Sequence, residues 1–206
     1  AGQETELNGA GPDIPESAMQ ALEEKLDRLQ KGDILILAGS IPASLAQTTY
    51  ERILARLEGR DIRAVVDATR DLLVNVLRYK PFLIKPNNHE LSEIAGVKLT
   101  NDNEIVTAAR MMQDKGARNV LVSMAGDGAL LLDEQGGVHR IGCPKGKVVN
   151  SVGAGDSMVA GFVAGYQQSG GDYAAALKLG TACGSATAFS LGLATKADID
   201  KLLKTM

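Results

Sequence analysis

Cysteine is scarce in this 206-residue sequence: Cys143 and Cys183 stand far apart, without the close spacing of a metal-ligand pair. That excludes a cysteine-based metal module and points to a reducing compartment, the cytoplasm. Long tracts of one charge are missing too. With 22 basic and 25 acidic residues and a formal net charge of −3, neither nucleic acid nor an anionic membrane is the expected partner. A small molecule is. The longest aliphatic segments, such as Ile34 to Ala38, fall far short of the roughly 20 apolar residues of a membrane span. No N-terminal stretch joins a charged start to the apolar core of a secretion signal. The opening AGQETELNGAGPDIPES lacks an initiating methionine and reads as the interior of a protein, so the expectation is a fragment.

What is present is enough apolar material, 45% of residues, for one sizeable core and a single domain over residues 1–206. Apolar residues at helical spacing (Met19, Leu22, Leu26, Leu29) predict a surface helix over Glu16 to Gln30, with Pro15 suited to its first turn. ILILAG follows without polar alternation, as expected of a strand covered on both faces of a parallel sheet. The alternation continues with a helix from Leu45 to Leu57, a strand from Ile62 to Val66, a short helix after Asp71 and a strand from Phe82 to Ile84. A helix from Asp102 to Lys115 and a strand from Asn119 to Ser123 complete it. This makes the fold α/β. ALLLD and GVHRIG, separated by Glu134 to Gly137, predict a hairpin. Asp172 to Leu191 is a helix so rich in small residues that its backbone must be closely approached, by a neighbouring element or by a ligand.

The most informative stretch is VGAGDSMVAGF, from Val152 to Phe162. A dinucleotide fingerprint fails there, because the third glycine of G-x-G-x-x-G is replaced by Met158. A P-loop fails in GCPKGK, which is one residue short and runs into Val148. What remains is a Gly-Ala-Gly-Asp turn opening a helix, whose first amides and positive dipole end attract an anion. If the amides of Gly153 to Asp156 hold a transferring phosphoryl group, an ionised Asp156 can take the proton of the attacking hydroxyl. As a lone residue, Asp156 is better explained as a first-turn acid that stabilises its helix.

The stretch resembles the C-terminal signature of the phosphofructokinase B group of the ribokinase-like sugar kinases. LILAGSIP, VVDA, LIKPNNHEL, VSMAGDGALLL and GSATA resemble further segments of that group, in its order along the chain. The resemblance implies a mainly parallel sheet flanked by helices on both faces, with the active site at the carboxyl ends of the strands. Asp156 becomes the catalytic base, and Gly153, Ala154 and Gly155 the anion turn. Lys85 reaches a phosphate, Asn87 and Glu90 act on Mg2+ through water, and Ser123, Gly126 and Gly128 bind the nucleotide. Ser40 contacts the sugar. The group has glycine where this chain has Ala125, so a turn shifted onto Gly126 is expected. Asn87 and Glu90 also fit a helix cap with an acid at its third residue, and both readings stand. His89 and His139 are expected to be exposed, and the cysteines to pack.

The implied reaction moves the γ-phosphoryl group of ATP to fructose 1-phosphate, giving fructose 1,6-bisphosphate. Tagatose 6-phosphate and fructose 6-phosphate are the alternative acceptors. Members of the group carry a sugar-binding glycine segment, first sheet strands and a β lid that often dimerises, and nothing here matches them. The chain is therefore expected to be an N-terminally truncated kinase, inactive alone and a homodimer when complete. The alternative of another class is a non-catalytic nucleotide-binding half.

Overall fold

The structure, a computed structural model, describes residues 11–206, so the TELNG segment of the opening lies outside the described residues. Among the described residues eight α-helices and six strands follow one another as α1 (Glu16–Asp27), β1 (Ile34–Ala38), α2 (Thr49–Leu57), β2 (Arg63–Asp67), α3 (Arg70–Val76), β3 (Leu83–Ile84), α4 (Asn88–Ala95), α5 (Asp102–Asp114), β4 (Asn119–Ser123), β5 (Ala129–Leu132), β6 (Val138–Ile141), α6 (Ala154–Gln168), α7 (Tyr173–Ala188) and α8 (Lys196–Leu203). The six strands lie in chain order in one sheet. β1 to β4 run parallel, and β5 and β6 return antiparallel as a hairpin.

The aliphatic runs read as doubly covered strands because successive residues serve two cores. Val66, Ile84, Val120 and Leu130 face a layer containing α2, α3 and α5, with Ile53, Leu73 and Met112 among the fully or nearly fully buried contacts. Their neighbours Val65, Leu83, Leu121 and Leu131 face Phe162 of α6 and Leu177 of α7. Burying each such side chain is worth about 1.5 to 3 kcal/mol relative to leaving it in water. β1 departs from the expectation. Ile36 is 41% exposed although Leu37 is buried, because β1 is an edge strand and only Ile34 of it touches the core under α6 and α7.

The small residues of α7 are explained by packing. A Cβ on Gly161 would stand 2.6 Å from the Cys183 sulfur, and one on Gly165 2.9 Å from the Ala176 Cα, so α6 and α7 meet almost backbone to backbone. The helix predicted from Leu45 begins at Thr49, after a turn in which the Leu45 amide donates to the Pro42 carbonyl. The short α8, which the apolar pattern did not announce, is held by a capping box between Thr195 and Asp198. The hairpin turn is where predicted, but His139 is half-buried, not exposed. Its Nε2 lies 2.8 Å from Asp133 Oδ2, while Asp133 Oδ1 accepts the Gln135 and Gly137 amides at 2.8 Å each. Among the described residues no helix is long and apolar enough to cross a membrane.

Candidate active site

Parallel pairing brings the ends of β1 to β4 to one edge of the sheet, the edge at which open α/β sheets bind ligands. Ser40 follows β1, Asp67 closes β2, Lys85 follows β3 and Ser123 closes β4. Gly39, at φ +87°, turns the chain out of β1 while its amide donates to the Asp67 carbonyl at 3.0 Å. The buried Tyr50 hydroxyl donates to the carbonyls of Ala38 (2.8 Å) and Gly39 (3.2 Å), which fixes this turn and leaves Ser40 exposed. Burial, with the Asp67 charge behind it, pushes the Tyr50 phenol up, so it remains a donor.

The centre of the edge is an ion pair. Lys85 is 6% exposed, and its Nζ lies 3.2 Å from Asp67 Oδ1. Burial raises the Asp67 carboxyl above its ordinary value, Lys85 opposes that rise, and the charges of Asp156 and Glu90 add to it. The carboxylates of Asp156 and Glu90 thus lie within electrostatic reach of Asp67. Above the pair sits the glycine turn. Gly153 caps α6 at φ +79° and its carbonyl accepts the Ser157 amide at 2.9 Å. A Cβ on Gly155 would stand 3.3 Å from Lys85 Nζ and 3.9 Å from Asp67 Oδ2. Helix geometry gives the amides of Gly155 and Asp156 no intrahelical acceptor, and the turn that carries them lies against Lys85.

Asn87 and Glu90 form the full capping box of α4. Asn87 Oδ1 accepts the His89 and Glu90 amides at 2.9 and 2.8 Å, and Glu90 Oε2 accepts the Asn87 amide at 2.7 Å. The structural reading of this pair is therefore realised, with Glu90 Oε1 left over, and His89 is exposed as expected. The Ser123 amide donates to the Pro86 carbonyl at 3.1 Å, setting the end of β4 beside the Lys85-Pro86-Asn87 turn.

The next turn departs from one expectation. Ala125 itself takes the left-handed conformation, φ +46°, so the turn is not shifted onto Gly126, which lies in open space. Gly128, at φ +90°, has no room for a ligand on its Cβ side: a Cβ would stand 2.1 Å from the Ile141 carbonyl oxygen and 2.7 Å from the Cys143 nitrogen. The chain's own β6 strand demands this glycine.

Sequence reasoning gave no role to Asp67 or Tyr50. The signal for Asp67 was an acid closing the run AVVD one strand away from a lysine closing LIK. It also passed over an apolar rim. Val152, Leu191 and Leu193 are exposed beside the glycine turn; Leu193 Cδ2 would lie 2.9 Å from a Cβ on Gly153, and Asn150 Nδ2 donates to the Leu191 carbonyl at 3.0 Å. Among the described residues no three His, Cys, Asp or Glu side chains are grouped to hold a metal ion.

The sequence profile of the pfkB family carbohydrate kinases matches residues 1–200. The chain is 46% identical over 202 residues to the 1-phosphofructokinase of Bacillus subtilis (strain 168), covering 98% of this chain and 66% of that protein. It is 36% identical over 204 residues to the D-tagatose-1-phosphate kinase of Bacillus licheniformis, with 98% and 66% covered. Among solved structures, phosphofructokinase-2 from Escherichia coli in complex with substrates and products superposes with a TM-score of 0.85 at 28% identity, over 92% of this chain and 62% of that one. The architecture is the ribokinase-like α/β fold. The chain spans less than two thirds of the length of each of these relatives.

Proposed function

The chain belongs to the pfkB family of carbohydrate kinases, and from that premise we propose that it carries the nucleotide-binding and proton-accepting half of a kinase acting on fructose 1-phosphate. One observation supports this above the others: the Gly153 to Asp156 turn stands directly over the buried Lys85 and its ion-pair partner Asp67 at the carboxyl edge of the sheet. The Gly155 and Asp156 amides and the Lys85 ammonium face the γ-phosphoryl group as its charge shifts in the transition state. The free primary hydroxyl of the sugar phosphate attacks phosphorus, the bond to the β–γ bridging oxygen breaks, and ADP leaves. The hydroxyl proton passes to the Asp156 carboxylate. The product is fructose 1,6-bisphosphate.

The rim of Val152, Leu191 and Leu193 offers apolar contact to the adenine ring, and Ser40 a hydroxyl to the sugar. Mg2+, when bound, balances phosphate charge. The residues suit a cation held by phosphate oxygens and water, since Glu90 spends one oxygen on its cap and has Oε1 to spare for such a water. The groups that fix the sugar are to come from beyond this chain, so the chain alone binds ATP weakly and turns over little, since phosphoryl transfer depends on positioning. The cytoplasm is the setting that suits ATP chemistry and two free thiols.

Fructose 1-phosphate leads because the 46% identical relative is a 1-phosphofructokinase, ahead of the tagatose-1-phosphate kinase at 36%. A coupled ADP-release assay on the full-length protein tests it, with fructose 1-phosphate, fructose 6-phosphate, tagatose 1-phosphate and tagatose 6-phosphate as acceptors. The highest kcat/KM should fall to fructose 1-phosphate. A preference for another sugar would overturn the substrate, and no transfer to any of the four would leave a nucleotide-binding module in place of a kinase.

A further inference from the structure

We infer that Asp67 is a positioning residue, whose carboxylate holds the Lys85 ammonium beneath the first turn of α6 so that it meets a phosphate group arriving there. The inference rests on reading the glycine turn as a phosphate site.

The argument begins with the strands. Val66 of β2 pairs with Ile84 of β3, and the Lys85 amide donates to the Val66 carbonyl at 3.2 Å. Asp67 and Lys85, the next residues, therefore leave the sheet side by side. A lysine at a strand end ordinarily runs into water, because its ammonium is strongly hydrated and its stem is flexible. This one does not: its side chain is 7% exposed, and among the described residues its ion-pair partner is Asp67, at 3.2 Å. The direction of that side chain is set from two sides. Asp67 draws the ammonium from below, and the missing side chain of Gly155 leaves the space above, where a Cβ would stand 3.3 Å from Nζ and 3.5 Å from Cε.

An ammonium carries three donors. With Asp67 Oδ1 3.2 Å away on one side, the ammonium has donors to turn toward the oxygens of an anion lying against the α6 amides. Without Asp67 a buried ammonium has lost its compensation and must rotate toward water or toward another acid. Glu90 and Asp156, the other two carboxylates whose charge reaches Asp67, are the available acids, and either would take the ammonium out of its place under the turn.

Positioning and plain charge make opposite predictions. Asp67 is an anion beside a site for anions, so by Coulomb's law alone its neutralisation should tighten phosphate binding. If Asp67 instead positions Lys85, its neutralisation should weaken it.

The experiment titrates magnesium-ATP, and separately inorganic tripolyphosphate, into the chain to millimolar concentrations, followed by NMR. The variants are Lys85→Met, Asp67→Asn, Asp67→Ser and the double variant Lys85→Met with Asp67→Asn; circular dichroism reports folding, and Asp67→Ser stands in if the asparagine variant does not fold. Loss of one charge-assisted hydrogen bond corresponds to about tenfold in affinity. Asp67→Asn and Asp67→Ser should each weaken both ligands by about that factor, and the double variant should bind no worse than Lys85→Met, since the two residues act as one. Unchanged or tighter binding by the folded Asp67 variants, with Lys85→Met weakened, would overturn the inference and leave the phosphate site standing. No binding by the unaltered chain, or equal binding by Lys85→Met, would overturn the phosphate site and the inference with it.

Discussion

Replacing Gly155 by alanine separates function from stability, because the two should move in opposite directions. Gly155 lies in the first turn of α6 and is not among the positive-φ glycines, so its backbone suits any residue. Alanine is the better helix former by up to about 1 kcal/mol, and stability should be unchanged or rise by that much. The added methyl, however, stands 3.3 Å from Lys85 Nζ, a contact that forces the ammonium to give by a few tenths of an ångström. Drawing an ammonium from about 3.0 to about 3.5 Å from a phosphate oxygen, at an effective dielectric constant of about 20, loses about 0.8 kcal/mol. That alone is about fourfold in affinity, and the methyl also blocks close approach of the anion to the Gly155 amide. The variant should bind magnesium-ATP about fourfold to tenfold more weakly by NMR titration, with Tm equal to or above that of the unaltered chain. Unchanged affinity in a stabilised variant would refute the placement of the phosphates over Lys85.

In the full-length protein, Glu90→Gln should raise the magnesium concentration needed for half-maximal activity, because glutamine can still cap α4 but offers no charge to a hydrated cation; if only Tm falls, the cap is the residue's whole role. Ala125→Gly should raise the denaturant midpoint slightly. Relief of about 1 to 2 kcal/mol of left-handed strain at φ +46° is offset in part by about 0.4 to 1 kcal/mol of added freedom in the unfolded chain, and a lowered midpoint would contradict this. Acid stability should depend on Asp133. His139 and the turn amides hold its carboxyl below its ordinary 3.8, against the pull of burial. A depressed acid contributes stability that is complete above its unfolded value and lost as pH falls through the folded one. Asp133→Asn should therefore flatten the loss of stability below about pH 4, and an unaltered acid limb would show the network to be inert.

The strands and most helices were legible because their patterns are local: aliphatic runs bounded by turn residues, and apolar residues three and four apart. The edge position of β1 was not, since ILILA reads the same whether one face is covered or left open, and only the reach of α6 and α7 decides. The same holds for Gly128. The need for a glycine there comes from crowding by Ile141 to Cys143, a contact between segments far enough apart in sequence that no local pattern announces it. Asp156 and the Asn87–Glu90 pair took their roles from the family resemblance, because spacing could not choose between cap and site, and the structure shows the cap of α4 made in full. Asp67 lay in the VVDA segment but was given no role there. Its importance lies in a pairing across two strands with Lys85, eighteen residues away in sequence, which becomes visible only when register is known.

The account stands on Asp156 as the proton acceptor at the glycine turn. Its most direct test is the turnover of the full-length Asp156→Asn protein with ATP and fructose 1-phosphate, measured by ADP release beside its affinity for ATP. A general base contributes at least about a hundredfold, so kcat should fall by that factor or more while ATP binding survives. Near-normal turnover by this variant would contradict the account.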